Sequence, residues 1–186
     1  MNDELPEVFF YDIIISLTFP VSSDSLCIIS PTYAKAYKVI KGSVIDVHDV
    51  DTVEIRPDSV GGKRFTCRLY GIDTAEVTHN GKLGQPYGKE ARRELKNLID
   101  AYKVEVTLTG DKTYNREVCI IKKAGTDINL EMVKRGYAWA YREYLKGPYA
   151  SEYIGAESEA RENKLGLWVG LWVQGNRRAP WEFRKR

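Results

Sequence analysis

Between Ala36 and Ile55, valine and isoleucine recur among polar residues, which predicts strand. Asp49–Asp51 interrupts the run with a sharp turn. Pro57-Asp58-Ser59-Val60-Gly61-Gly62 has the turn chemistry of a hairpin loop. Arg64–Tyr70 then alternates: Phe65, Cys67 and Leu69 face one way, Thr66, Arg68 and Tyr70 the other. That period sets Arg68 opposite the core-facing set. Gln85–Tyr102 changes to helical spacing, with Ala91, Leu95, Leu98 and Tyr102 forming an apolar stripe and Pro86 suited to the first turn. Val104, Val106 and Leu108 predict a fourth strand and Val118–Lys122 a fifth. A helix follows, capped by Asp127 or Asn129 and closed by Gly136. A last helix covers about Ser151 to Lys164, with Gly166 as its stop and Trp168 as an anchor.

This order of elements reads as α+β, and it fits a five-stranded Greek-key β-barrel of OB type with three packed helices. Periodicity alone does not choose between a barrel and an open sheet. A chain of 186 residues suits one domain. Pro20 to Pro31, rich in Ser and Asp, reads as a linker, so residues 1–35 form an N-terminal extension ahead of a folded domain over 36–170. Residues 171–186 are a basic tail carrying Arg177, Arg178, Arg184, Lys185 and Arg186. The tail has two open readings, a solvated terminus or a phosphate contact. The net charge of +2 does not by itself indicate a nucleic-acid partner, so the placement of charges has to carry that argument.

Val8–Val21 is apolar, but it is short for a membrane span and Asp12 breaks it. Asp3, Glu4 and Glu7 stand where an export leader would be basic. A divergent signal, an arm packed on the domain and a mis-assigned start all stay open. The three cysteines, Cys27, Cys67 and Cys119, form no CxxC pair, which argues against zinc. Cys67 and Cys119 sit in strand patterns and read as small buried hydrophobes. An odd count argues against a disulfide framework and leaves a single bridge open.

The candidate chemistry lies in two acidic motifs, each accompanied by an arginine. His48-Asp49-Val50-Asp51-Thr52 is the first; Arg68-Leu69-Tyr70-Gly71-Ile72-Asp73-Thr74-Ala75-Glu76 is the second. Tyr114-Asn115-Arg116 supplies the other arginine. Carboxylates in tight turns hold a hard cation through oxygen. Guanidinium forks suit phosphate oxygens. The combination points to metal-assisted phosphodiester cleavage. Each residue alone has an ordinary explanation as a turn aspartate, a loop glutamate or a paired surface arginine; the set carries the inference.

RLYGIDTAE, with DVDT before it and GQPYGKEA, YNR, GYAWAYREY and AESEARENKLGLW…APWEFRKR after it, resembles the staphylococcal nuclease (thermonuclease) family, in particular its bacterial secreted members. The likeness runs from about Tyr37 to the C-terminus. It implies an OB-type barrel and a Ca2+-dependent nuclease acting on DNA and/or RNA with low sequence specificity, leaving 3′-phosphate and 5′-hydroxyl ends. By this resemblance Asp51, Asp73 and the Thr74 carbonyl are calcium ligands, and Asp49 acts through water. Glu76 handles the attacking water, and Arg68 and Arg116 are catalytic. Tyr114 touches the nucleotide, as does Tyr141 or Tyr144, and Lys112 steers phosphate. His48 and His79 lie near the motifs and read as solvated residues more readily than as metal ligands.

Three positions depart from the family pattern. Val50 stands where glycine is usual and implies strain if that residue needs positive φ. Ala75 replaces a proline, which loosens the loop carrying Glu76. Asn115 replaces a glycine and tolerates the left-handed region. The competing readings are a catalytically weak or inactive nucleic-acid- or protein-binding module on the same barrel, favoured by Val50, and a structural domain with a vestigial site. The resemblance also implies a secreted or periplasmic location, while a cytoplasmic one stays open; a monomer without a membrane-spanning segment is the separate expectation.

Overall fold

The structure is a computed structural model that describes residues 37–78, 81, 83–147, 149–169 and 178–185. The expected N-terminal extension and linker, Cys27, His79, Arg177 and Arg186 lie outside the described residues.

Strand β1 (Lys38–Asp49) turns at Val50 and Asp51 into β2 (Thr52–Pro57), and β3 (Phe65–Leu69) follows the Pro57–Gly62 loop. β1 keeps Val44 and Val47 in the core although they are three residues apart, because the β1–β2 register shifts between Val44 and Asp46. An extra residue on one strand restores the inward phase and adds local twist. After β3 come the two-residue β4 (Ile72–Asp73), helix α1 (Gly88–Ile99), β5 (Lys103–Thr113) and β6 (Arg116–Lys123). The short strand β7 (Thr126–Asp127), helix α2 (Ile128–Lys134), short strand β8 (Trp139–Ala140), helix α3 (Tyr149–Glu162), helical residues at 167–169 and one-turn helix α4 (Pro180–Phe183) follow among the described residues.

The main sheet runs β3-β2-β1-β5-β6-β7, and β6 also pairs with β3 in parallel. Each of β1, β2, β3, β5 and β6 therefore has a strand partner on both sides. This α+β, OB-like arrangement agrees with the fold class read from the sequence, while the short strands β4, β7 and β8 were not anticipated. β4 and β8 make a separate small sheet in which Asp73 faces Trp139.

Val44, Val47, Val53, Ile55, Cys67, Leu69, Val106 and Ile121 fill the space inside the sheet. Burying each of the Val, Leu and Ile side chains among them contributes on the order of 1.5–3 kcal/mol. Cys67 and Cys119 are fully buried, as expected. They form one disulfide across β3 and β6, at a Cα separation of 5.8 Å. α1 is shorter than Gln85–Tyr102 and its buried stripe is Gly88, Ala91, Leu95 and Ile99. Tyr102, expected on that stripe, lies beyond the helix and is half exposed, with the Lys123 ammonium over its ring. Asp127 caps α2 by accepting from the Leu130 amide at 3.0 Å. Asn129 instead stitches the helix to the sheet through Ile121, Cys119 and Tyr70. Gly136 ends that helical region with a positive φ and passes so close to the Leu165 carbonyl that a Cβ would collide with it. A second apolar cluster, Ala75, Trp139, Ala160, Leu167, Trp168 and Ala179, joins α3 to the C-terminal segment. Among the described residues no helix is long and apolar enough to cross a membrane.

Candidate active site

The β1–β2 turn, the β3–β4 region and the start of β6 meet at one side of the sheet. β2 and β3 pair Thr52 with Arg68, and the Leu69 amide donates to the Asp51 carbonyl at 2.8 Å. This fixes the first acidic motif against the second. Alternation on β3 turns Arg68 away from Cys67 and Leu69, as its pattern predicted, and toward the carboxylates. Its guanidinium donates to Asp73 Oδ1 at 2.9 Å and is ion-paired with Asp51 Oδ2. Thr52 and Thr74 both donate their hydroxyls to Asp51, at 2.9 and 3.3 Å. Arg116, brought alongside by the β3–β6 pairing, donates to the Thr52 hydroxyl at 3.1 Å.

Asp51, Asp73 and Thr74 are all buried. Burial opposes the charge on Arg68 and lowers its pKa from the ordinary arginine value, while attraction and hydrogen bonding to Asp73 work the other way.

Glu76 is positioned by backbone. Its amide donates to Gln85 Oε1 at 3.1 Å, and its carbonyl accepts from the Gln85 amide at 2.7 Å. A Cβ on Gly84 or Gly88 would come within 2.6 or 2.5 Å of the Glu76 carbonyl oxygen, so glycine is what lets α1 begin against this loop. Ala75 is 1% exposed in the second apolar cluster. Packing and Gln85 thus hold the loop that the missing proline was expected to loosen.

Asp49, Asp51, Arg68, Glu76, Arg116 and Tyr141 line one cleft of about 850 Å³, together with Lys112, Tyr114, Tyr144 and Arg184. Tyr114 is 92% exposed at its edge. Lys112 is ion-paired with Glu117 at 2.6 Å. Tyr141 and Tyr144 touch edge to face, so the structure brings both candidates to the cleft. Burial and the neighbouring Glu143 raise the Tyr141 pKa. His48 lies off the cleft, between Asp46 and Glu54 at 3.2 and 3.7 Å.

Two expectations about the backbone are overturned. Val50 is not among the positive-φ residues; it is fully buried, and its amide donates to Asp49 Oδ1 at 2.8 Å. The Asp49 carboxylate satisfies the Val50 amide, and valine serves the core without left-handed strain. In the YNR hairpin the left-handed residue is Tyr114, φ 54°, rather than Asn115.

Sequence reasoning missed Gln85, Thr52 and Trp181, and it left Arg184 as an undifferentiated tail cation. Arg184 donates to Asp73 Oδ1 and Oδ2 at 3.1 and 2.6 Å and to Glu76 Oε1 at 2.5 Å. Burial works against its charge, but the hydrogen bonds to Asp73 and Glu76 prevail and raise its pKa. Among the described residues no three carboxylate, His or Cys side chains converge as a ready metal cage. The donor set still fits a hard cation. It offers two buried carboxylates and oxygen donors only, and a guanidinium already stands against Asp73 and Glu76 as a surrogate positive charge.

The family model "Staphylococcal nuclease homologue" matches residues 66–170. An uncharacterized endonuclease of Haemophilus influenzae is 30% identical over 143 residues, 77% of this chain and 72% of that protein. A micrococcal nuclease of Shigella flexneri is 31% identical over 159 residues, 81% of this chain and 83% of its own. The staphylococcal-like nuclease CAN1 of Arabidopsis thaliana is 34% identical over 133 residues, 72% of this chain, which spans only 37% of that longer protein. The acids and arginines gathered on one OB-like scaffold, together with a family match over more than half of the sequence, show that the chain belongs to the staphylococcal nuclease family.

Proposed function

We propose that the protein is a nuclease, a Ca2+-dependent phosphodiesterase that cleaves DNA and/or RNA with little sequence preference. The observation that carries this reading is the convergence of Asp51 and Glu76 with Arg68 and Arg116 at one cleft, with the buried Asp73 bonded to Arg68 directly behind it. The names of the relatives, nuclease and endonuclease, support it.

Asp51, Asp73 and the Thr74 carbonyl would hold calcium, with Asp49 acting through water; bound there, the ion neutralises phosphate charge and favours ionised water. Glu76, fixed by Gln85, orients the attacking water and accepts its proton. Water oxygen bonds to phosphorus in line with the departing 5′ oxygen, the P–O5′ bond breaks, and the 5′ oxygen takes a proton from solvent. The products carry 3′-phosphate and 5′-hydroxyl ends. Arg116, held through Thr52, presents a fork to the equatorial oxygens. Arg68 shares that task and keeps Asp51 and Asp73 in register. Fixed donors of this kind lower the barrier because they need no reorganisation during reaction. Tyr114 and Tyr141 offer base stacking, about 1–3 kcal/mol per base and tolerant of sequence. Lys112 supplies a point charge for the phosphate chain.

We also propose an exported, monomeric protein; the Cys67–Cys119 bridge supports an oxidising compartment. The test of the activity is incubation with single-stranded DNA and RNA, with calcium and with chelator, followed by analysis of product ends. Calcium-dependent cleavage with 3′-phosphate termini is expected. Cleavage unchanged by chelator, or the opposite end chemistry, would overturn the mechanism.

A further inference from the structure

The proposed calcium site carries an internal cation, and it comes from the far end of the chain. Arg184 forks onto both oxygens of Asp73 at 2.6 and 3.1 Å and reaches Glu76 at 2.5 Å. A folded segment delivers it. Trp181 stacks flat on Tyr141 with ring centroids 5.0 Å apart. Ala179 is buried, and Gln85 Nε2 donates to the Arg178 carbonyl at 3.0 Å. A side chain anchored this way acts at high effective concentration. Arg68 also meets Asp73, but its side chain is 14% exposed while that of Arg184 is 41% exposed. Arg184 is therefore the guanidinium that can leave. A divalent ion held by Asp73 beside Glu76 would stand next to it, and like charges at that range repel.

We propose that Arg184 is a tethered competitor for the divalent cation: it neutralises Asp73 and Glu76 in the metal-free protein and is displaced when the metal enters. The inference rests on the calcium reading of the site. It gives the C-terminal segment a regulatory role, setting the metal concentration at which the enzyme loads. It also couples loading to the nucleotide site, because Trp181 covers a ring face of Tyr141.

The test is calcium titration by calorimetry of chelator-stripped wild type, Arg184→Gln and Arg184→Lys, with melting curves in chelator and in calcium. Arg184→Gln should bind calcium about tenfold or more tightly, the range of an ordinary coupling between sites. Its melting temperature should be lower than that of wild type in chelator and rise further on adding calcium. Arg184→Lys keeps the charge and loses the fork, so its affinity should fall between the two. It also serves as the folded comparison if the Gln variant proves unstable. Equal or weaker calcium binding by Arg184→Gln would overturn the role of Arg184 while leaving the metal site standing. No binding by wild type or either variant would sink the calcium reading itself.

Discussion

Gln85 and Glu76 exchange hydrogen bonds in both directions: the Glu76 amide donates to Gln85 Oε1 at 3.1 Å, and the Gln85 amide donates to the Glu76 carbonyl at 2.7 Å. The proposed water-handling carboxylate is thus fixed from its own backbone by a residue just ahead of α1. Gln85→Ala removes the side-chain half of this clasp and the link to Arg178. It should lower kcat by about five- to tenfold, the worth of about one neutral hydrogen bond, with KM little changed. A steady-state split showing a KM effect alone would place Gln85 in substrate binding instead.

Glu76→Gln keeps the size of the side chain and removes the base. Arg116→Ala removes a donor while leaving Thr52 and Asp51 able to bond each other. Each should reduce turnover by about two orders of magnitude or more, as comparable electrostatic deletions do. Single-turnover rates at saturating calcium measure this, and near-wild-type values in both would take these residues out of the chemistry.

Val50→Gly now has a different expected outcome from the one its sequence position implied. Because Val50 is fully buried without positive φ, glycine would empty a core site and add unfolded-state entropy. The loss should be about 2–3 kcal/mol by urea unfolding, with no gain in calcium affinity. Tighter calcium binding by this variant would revive the strain argument.

Asp127 caps α2 and accepts the Tyr153 hydroxyl at 3.1 Å. Asp127→Ala should cost about 2–4 kcal/mol, combining a lost cap with an unpaired buried hydroxyl. Burial raises the Asp127 pKa above its ordinary value, with the hydrogen bond from Leu130 only partly offsetting it. The folded state therefore binds this proton more tightly than the unfolded chain. The Asp127 contribution to stability is largest below the unfolded pKa and declines as pH rises through the folded one. Asp127→Asn keeps an acceptor at the cap and removes that decline. Its stability relative to wild type should improve as pH rises from about 4 toward neutrality. A pH-independent difference in thermal unfolding would count against this account.

Short-range patterns in the sequence carried most of the strands, the Asp127 cap, the Gly136 stop, and the motifs bearing Asp51, Asp73, Glu76, Arg68 and Arg116, whereas α3 ends at Glu162 with Lys164 left-handed, ahead of the expected stop at Gly166. Alternation, turn chemistry and capping act over a few residues, so one sequence records them directly. The α1 stripe was misread at its end, since Leu98 and Ile99 are neighbours and only packing decides which one faces the sheet. Val50 was misread because the turn passes through this position without positive φ, so a buried valine can stand where glycine would otherwise be used. The tertiary structure alone decided where Arg184 goes. It meets Asp73 across 111 residues of chain, and nothing local distinguishes it from the other tail cations. Its place is set by Trp181 on Tyr141 and Ala179 in the second apolar cluster, contacts that exist only once the whole domain has packed.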